Sequence, residues 1–324
     1  MQKTNGANIS TRPDCLKRLA EEMVRNHEIN EGLLSGKKTC EKASKIVVVI
    51  GAGISYEAVG FPLGRPLALH LAETILGDSE ERRMQYSKNI SDLQNKYNFD
   101  PEDFKTMLFA LNKIDSSNLV DHLINHLDIQ KNNYDSTSFD ILARLLAERY
   151  LDAIVDFNFD ELLQISIKKQ ASLPEIKLAV SDKEHASLLE HYIKTNGRFN
   201  TPIHLKIHGT ISQKESLRFA RKDFYRIEPG MMDIFTKLIS DQPTKLVVIG
   251  CRLKALDFTT HISKCLHPDS EIYVFDKVED VVGSKLDHFY KGFVQINENM
   301  SLMSTLQQLE KTTLGLNIKD SSKI

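Results

Sequence analysis

Residues 45–55 read KIVVVIGAGIS, and this stretch decides the fold. Five consecutive β-branched residues at 46–50 predict a strand that is buried on both faces, because they do not alternate with polar residues. Gly51 and Gly53 follow at once, and glycine allows the backbone to turn tightly. A buried strand followed by such a turn is typical of a parallel sheet that is covered by helices.

Further runs of the same type predict more strands: LDAIVDF at 151–157, IHLKIH at 203–208, KLVVIG at 245–250, EIYVFD at 271–276 and, more weakly, FVQI at 293–296. Segments with helical periodicity alternate with them, at 66–76, 160–169, 230–240, 256–266 and 284–290. The alternation predicts an α/β fold with a Rossmann-like parallel sheet of about six strands, flanked by helices.

The remaining segments predict how the chain is organised around this sheet. Residues 1–44 are expected to form an N-terminal helical extension, with a helix at 14–35. The sheet domain is then made of residues 45–77 and 150–300. Residues 78–149 carry charged amphipathic patterns without a convincing strand, which indicates an inserted helical subdomain. Residues 301–324 are expected to form a C-terminal helix and tail.

The composition excludes several classes of protein. The 324 residues are 41% hydrophobic with a mean hydropathy of −0.30, so a buried core is feasible. With 42 Lys and Arg against 44 Asp and Glu, the net charge of −2 offers no basic surface for nucleic acid. The longest apolar run, 46–50, is far shorter than the ~20 residues that span a bilayer. We therefore expect a soluble protein that binds neither nucleic acid nor membrane.

The cysteines and the N-terminal residues indicate the compartment. Cys15, Cys40, Cys251 and Cys265 show neither zinc-ligand spacing nor the pattern of a disulfide framework. The first residues, MQKTNGANISTRPD, are polar where a signal peptide needs an apolar stretch. The sequence therefore predicts a cytoplasmic protein without a zinc site.

The loop after the first strand is a candidate binding site, because ligands of open parallel sheets bind outside the carboxyl ends of the strands. The glycines of GAGIS at 51–55 can bring backbone amides close to a pyrophosphate. The same loop also fits an ordinary strand-to-helix turn. Arg65, in the turn-rich stretch at 60–66, can face a phosphate or a sugar, or lie solvated in a plain loop.

Polar residues and glycine follow the other strands at the same edge: Asn158 and Asp160 after the second strand, His208 after the third, Gly250 and Cys251 after the fourth, and Asp276 at the end of the fifth. A carboxamide such as that of Asn158 can hold a water or a ribose hydroxyl. Asp160 also fits a helix N-cap. A lone histidine such as His208 is more often structural than catalytic, but its place on the same edge as Asn158 favours a functional role.

The chain resembles the Sir2 (sirtuin) superfamily in an ordered set of motifs: GAGIS at 51–55, GFPLGR at 60–65 for the family's GIPDFR-like element, FNFD at 157–160 for its Asn-x-Asp element, IHG at 207–209 for its His-Gly, and IGCRL at 249–253 for its Gly-Thr-Ser-like element. The resemblance spans roughly residues 45–300. It implies that the sheet domain is a SIR2-like Rossmann-fold domain that binds NAD⁺.

The departures from the family pattern narrow the expected activity. Sirtuin deacylases carry a four-cysteine zinc ribbon, and this sequence has no such quartet. The Asp-Phe of the GIPDFR-like element is replaced by Leu63 and Gly64. With these differences, the sequence is similar to the zinc-less SIR2-like branch, whose members resemble NAD⁺ hydrolases of bacterial anti-phage defence. The resemblance therefore implies NAD⁺ as the substrate, cleavage to nicotinamide and ADP-ribose or cyclic ADP-ribose, and no zinc.

The resemblance also implies roles for single residues. Asn158 would orient the ribose or the attacking water, Asp160 would hold Asn158 or the ribose, and His208 would act as general base. The loop would cradle the pyrophosphate through Gly51, Ala52, Gly53, Ile54 and Ser55, with Arg65 covering it. The adenosine half would be bordered by Gly250 and Cys251, with Asp276 as a further contact.

A hydrolase of NAD⁺ must be controlled in its host, so we expect a homo-oligomer or a regulatory partner that senses infection. Two other classes of function fit the same pocket. A protein deacylase or ADP-ribosyltransferase would consume NAD⁺ only with an acylated or acceptor protein. A non-catalytic sensor would bind NAD⁺ or ADP-ribose without turnover. The presence of Asn158 and His208 favours an enzyme, because binding alone needs neither.

Overall fold

The structure is a computed structural model of the chain. It describes residues 12–35, 44–97, 100–102, 104–128, 135–170, 174–195, 199, 201–218, 231–251, 262, 264–276, 290–295 and 301–321.

The helices of this part of the chain are α1 (Arg12–Leu34), α2 (Ala52–Val59), α3 (Gly64–Leu76), α4 (Glu80–Tyr97), α5 (Phe104–Asn112), α6 (Ser116–His126), α7 (Thr137–Ala147), α8 (Leu162–Lys169), α9 (Asp182–Lys194), α10 (Met231–Ser240) and α11 (Leu302–Ser321). The strands are β1 (Lys45–Ile50), β2 (Ala153–Asp156), β3 (Lys177–Ala179), β4 (Ile203–Lys206), β5 (Thr244–Ile249), β6 (Glu271–Asp276) and β7 (Tyr290–Gln295).

The strands pair in parallel in the order β3-β4-β2-β1-β5-β6-β7. This confirms the predicted α/β fold with a Rossmann-like parallel sheet. The described residues contain one strand more than the six that the sequence predicts. The additional strand is β3, which the sequence pattern did not predict. It has three residues, two of them exposed, and such an edge strand leaves no continuous apolar run.

β1 lies in the middle of the sheet, and its two faces enter separate cores. Ile46, Val48 and Ile50 pack into one hydrophobic cluster, while Val47 and Val49 pack into the other. All six residues of β1 are buried. Alternate side chains of a strand point to opposite faces, so a strand covered on both faces is apolar along most of its length, here from Ile46 to Ile50.

The two cores hold different helices. The first contains side chains from α1, α2, α3, α5, α6, α7, α8 and α11, and the second contains side chains from α9 and α10. Helices of the 78–149 interval thus share a core with the N-terminal and C-terminal helices. The described residues of that interval form α4 to α7 with no strand among them.

Two predicted helices fall mainly outside the described residues. Of the segment 256–266, only residues 262 and 264–266 are described, and 262, 264 and 265 are helical. Of the segment 284–290, only Tyr290 is described, and it begins β7. No helix of the described chain is long and apolar enough to cross a membrane.

The glycine turn is linked to the C-terminal helix through Glu57 of α2. Its two carboxylate oxygens accept hydrogen bonds from the backbone amides of Leu302 and Met303, each at 2.8 Å. These amides belong to the first turn of α11, where backbone donors have no partner within the helix. A carboxylate there satisfies two donors and interacts favourably with the helix dipole.

We expect Glu57→Ala to lower the free energy of unfolding by about 1–2 kcal/mol, because it removes this cap from α11. Urea unfolding of the purified variant measures the change. The control is Glu73→Ala on α3, whose side chain is exposed and which should unfold like the wild type. Equal unfolding midpoints for both variants would contradict a stabilising role of Glu57.

Candidate functional site

The sheet order places the sequence-predicted residues along one edge of the molecule. Read along the carboxyl ends of the strands from β4 to β6, they are His208, then Asn158 and Asp160, then the loop 51–55, then Gly250 and Cys251, and then Asp276. Four strand intervals of ~4.8 Å separate β4 from β6, which gives a span of about 19 Å. The chain passes from β1 to β2 on one side of β1, and the later strand β5 lies on its other side. The strand order therefore reverses between β1 and β5. This is the topological switch point, where α/β folds bind ligands.

The loop after β1 is in direct backbone contact with the end of β5. The amides of Gly51 and Gly53 donate to the carbonyl oxygens of Ile249 and Gly250, at 3.1 and 2.9 Å. A Cβ at Gly53 would lie 2.7 Å from the Cα of Gly250, and one at Gly250, where φ is +58°, would lie 2.7 Å from the amide nitrogen of Ile54. The glycines are therefore required for the close approach of two turns, and the loop amides of Gly51, Gly53 and Ile54 donate within the protein.

Ser55 joins the predicted catalytic residues in one buried chain of hydrogen bonds. Its hydroxyl donates to Asp160 Oδ2 at 2.8 Å and accepts from Asn158 Nδ2 at 3.3 Å. All three side chains are buried. The hydroxyl has one hydrogen, and it donates this hydrogen to Asp160. It can therefore only accept from Asn158, and this sets the orientation of the carboxamide.

Asp160 lies one residue before the N-cap of α8, which is Glu161 and makes no side-chain cap hydrogen bond. Asp160 Oδ1 accepts a hydrogen bond from the amide of Leu162, the first residue of α8, at 3.2 Å. Asp160 is thus not the N-cap that the sequence allowed, but its carboxylate satisfies one amide in the first turn of α8 and also binds Ser55. Its role toward Asn158 or a ribose stays a prediction.

A buried group of charged residues lies beside these hydrogen-bonded side chains, and it was not predicted from the sequence. Lys206 Nζ lies 3.0 Å from Asp156 Oδ2, and both side chains are almost fully buried. His204 Nε2 is 3.2 Å from the same carboxylate oxygen. The signal in the sequence was the presence of Asp, His and Lys within otherwise apolar strands, because a buried charge requires a partner.

The two buried aspartates differ in the direction in which the protein shifts their pKa. Burial alone would raise the pKa of Asp156, but the charge of Lys206 and the hydrogen bond of His204 outweigh it and hold the pKa below its usual value. For Asp160, burial dominates and raises the pKa, with the charge of Asp156 acting in the same direction and that of Lys206 against it. Burial also lowers the pKa of His204, which favours its neutral form.

His208 is buried between aromatic rings at the end of β4. Its ring lies edge-on to Phe157, with centroids 5.2 Å apart, and 5.9 Å from the ring of Phe159. Gly209 follows with φ of +78°, and a Cβ there would lie 2.1 Å from the carbonyl oxygen of Ser216. Glycine is therefore necessary after the histidine, because the chain folds back tightly at this point.

The other predicted ligand residues lie around this centre. Arg65 is more than half exposed at the start of α3 and pairs with Glu102 at 3.0 Å, so contact with a pyrophosphate would have to compete with or extend this ion pair. Cys251 packs against the second core, and Asp276 ends β6. Among the residues that the structure describes, no group of three or more His, Cys, Asp or Glu side chains is placed to hold a metal ion.

One family model matches part of the chain over this same region. Residues 152–286 match the model of a family described as the SIR2-like domain. The match includes the residues predicted at the ends of β2, β4, β5 and β6, and it begins after β1. Because β1 lies between β2 and β5, the glycine loop belongs to the same sheet. The match over residues 152–286 agrees with the resemblance that the sequence motifs carry.

Comparison with solved structures gives likenesses of low identity. A structure on the mechanism and regulation of Sir2 enzymes is 13% identical, with a TM-score of 0.47, and the alignment covers 94% of this chain and 98% of that chain. A Sir2 homologue in complex with 2′-O-acetyl ADP-ribose is 12% identical, with a TM-score of 0.45 and coverage of 84% and 93%. A putative LOR/SDH protein from Methanococcus maripaludis S2 is 11% identical, with a TM-score of 0.39 and coverage of 97% and 73%. No curated protein matches the chain. The fold assignment rests on the sheet topology itself.

The opposite pKa shifts predict opposite pH dependence for two matched variants. A lowered pKa gives Asp156 a stabilising contribution that is present above its ordinary pKa of 3.8 and is lost as the pH falls through the folded value. A raised pKa gives Asp160 a contribution that is present below 3.8 and is lost as the pH rises through the folded value. Relative to wild type, Asp156→Asn should therefore become less stable as the pH rises, and Asp160→Asn more stable.

Urea unfolding of wild type and both variants from about pH 3 to about pH 7 tests this expectation. The two carboxylates lie four residues apart and both are buried, so each variant serves as the control for the other. Differences from wild type that run parallel with pH in the two variants would contradict the assignment of the shifts.

Proposed function

We propose that this chain is an NAD⁺ hydrolase that releases nicotinamide and ADP-ribose, or its cyclic form. The observation that carries the proposal is the buried chain Asn158–Ser55–Asp160 at the switch point of a SIR2-like sheet. It links the loop after β1, where a pyrophosphate would lie, to the two polar residues that follow β2. A dinucleotide lying along the edge would have its nicotinamide ribose over β2 and β4 and its adenosine over β5 and β6.

In the proposed reaction the bond between the nicotinamide nitrogen and C1′ of the ribose breaks, and the electron pair leaves with nicotinamide. The oxygen of a water forms the new bond to C1′, and His208 accepts the proton that this water loses. Asn158 turns Nδ2 toward Ser55, so its Oδ1 is the atom that accepts from a ribose hydroxyl or from the water. For the cyclic product, the attacking atom belongs to the adenine of the same molecule.

One contact supports the zinc-less branch over the deacylases. Gly64 stands where the family's GIPDFR-like element has an aromatic residue, and a Cβ at Gly64 would lie 3.1 Å from Phe104 Cγ. Phe104 begins α5, in the predicted helical insertion, and its ring lies 6.5 Å from that of Phe159. An aromatic ring from the insertion therefore occupies the space beside the loop, which couples the insertion to the site.

Incubation of the purified protein with NAD⁺ alone, with products separated by chromatography, tests the activity. We expect wild type to form nicotinamide and ADP-ribose or its cyclic form, and His208→Ala and Asn158→Ala to lower the rate by at least about 100-fold. His122→Ala on α6, a half-buried histidine that the proposed reaction does not use, is the control and should keep the wild-type rate.

Each alternative has its own outcome in this experiment. Unchanged NAD⁺ loss in both site variants would refute the assignment of Asn158 and His208. Consumption of NAD⁺ only with an acylated peptide or an acceptor protein would indicate a deacylase or ADP-ribosyltransferase. A ligand-dependent thermal shift without any product would indicate a sensor.

We further propose that the activity serves phage defence by depleting NAD⁺, and that assembly into a homo-oligomer or with an infection-sensing protein controls it. The support is the resemblance to the zinc-less branch, together with the helices of the N-terminal extension and the insertion as possible interfaces. We expect native mass spectrometry of the active protein to show an oligomer or a complex. A monomer under all active conditions would contradict this form of control.

A further inference from the structure

The pair formed by Asp156 and Lys206 joins two adjacent strands directly below the proposed catalytic turn, residues 157–160. The two residues are Cα partners in the parallel pairing of β2 and β4. Their charged groups are 3.0 Å apart, with side-chain exposures of 2% and 0%. Water therefore cannot share in solvating either charge.

Each member of the pair also binds the backbone of the turn. Asp156 Oδ1 accepts from the amide of Asn158 at 2.8 Å. Lys206 Nζ donates to the carbonyl oxygen of Asp160 at 2.6 Å. Asp156 thus holds the backbone of one proposed catalytic residue, and Lys206 holds that of the other.

The fold alone does not explain a charged pair at this place. Removing two charges from water is costly, and replacing a buried ion pair by apolar residues of similar size is often neutral or stabilising. Apart from His204, the neighbouring strand residues, such as Ile154 and Leu205, are apolar and fully buried. What apolar side chains cannot provide is an acceptor for the amide of Asn158 and a donor for the carbonyl of Asp160.

We propose that Lys206 and Asp156 are positioning residues, which hold the 157–160 turn so that Asn158 and Asp160 keep their contacts with Ser55. His204 supports this role as a third member, because its Nε2 lies 3.2 Å from Asp156 Oδ2. The expected effect on the reaction rate rests on the proposed function. The expected effect on the structure, a turn held in place by two charged side chains, does not depend on any activity.

The double variant Asp156→Leu/Lys206→Met tests the proposal, because it removes both charges together and leaves neither buried alone. The matched control is Glu271→Met/Lys245→Met. That pair also joins Cα partners on adjacent parallel strands, β5 and β6, with its charged atoms 2.7 Å apart, but at the start of the strands, opposite the proposed site. Urea unfolding first establishes that both double variants fold. If the apolar pair does not fold, Asp156→Asn/Lys206→Met replaces it.

We expect the site variant to lose about 100-fold in kcat for NAD⁺, since a displacement of about 1 Å at a reacting centre has this effect. KM should stay within about threefold, because the binding loop after β1 is untouched. Hydrogen exchange measured by mass spectrometry should show faster exchange of the amides at 157–162 in this variant and no change there in the control. A folded site variant with kcat within about twofold of the control would overturn the proposal.

The two readouts separate this inference from the proposed function. If wild type does not consume NAD⁺, the proposed function fails, and hydrogen exchange alone decides the positioning role. Unchanged exchange at 157–162 in the site variant then overturns it, and faster exchange supports it. If wild type is active and the site variant retains both its kcat and its exchange pattern, the positioning role fails while the hydrolase stands.

Discussion

The contact between the turns that follow β1 and β5 is the constraint on which the site depends. Gly53 and Gly250 approach so closely that a Cβ on either would overlap backbone atoms of the other turn. This contact lets α2 begin directly at the carboxyl edge and directs Ser55 under the proposed catalytic turn. The same helix caps α11 through Glu57. Displacement of one glycine turn would therefore disturb the site and the C-terminal helix together.

The site is assembled from three parts of the chain that are distant in sequence. α2, directly after β1, supplies Ser55. The turn after β2 supplies Asn158 and Asp160, β4 supplies Lys206, and the sheet brings them to one edge. A fourth part, α5, brings Phe104 into contact with Gly64 at the start of α3. This contact gives the helical interval a physical connection to the site. Movement of α5 relative to α3 would change the space beside Phe159.

Much of this architecture is predictable from the sequence, for a physical reason. A strand in the middle of a covered parallel sheet is mostly apolar, so 46–50 and the later β-branched runs indicate such strands. The ends of parallel strands meet at one edge, so Asn158 and His208 can be assigned to the same place without knowledge of the strand order. The short strand β3 is different, because with two exposed residues it has no burial pattern to detect.

The contacts within the site depend on strand register, which the sequence does not contain. The pairing of Asp156 with Lys206 follows from β2 lying beside β4 in one specific alignment, and a shift by one residue would place Lys206 on the other face of the sheet. The glycine loop is a related case. Its glycines predict a tight turn, but whether their amides meet a ligand or a neighbouring strand depends on where β5 ends.

The opposite pKa shifts of Asp156 and Asp160 follow from the different partners of two buried carboxyl groups. Asp156 has a cation and an imidazole beside it and is stable as a charge. Asp160 contacts Lys206 only through its backbone carbonyl, and its carboxylate relies on Ser55 and the amide of Leu162. The environment of Asp160 in the fold is therefore less favourable for the charged carboxylate than water is. In the proposed reaction, positive charge that develops on the ribose near this carboxyl group would favour its charged form, which burial alone disfavours.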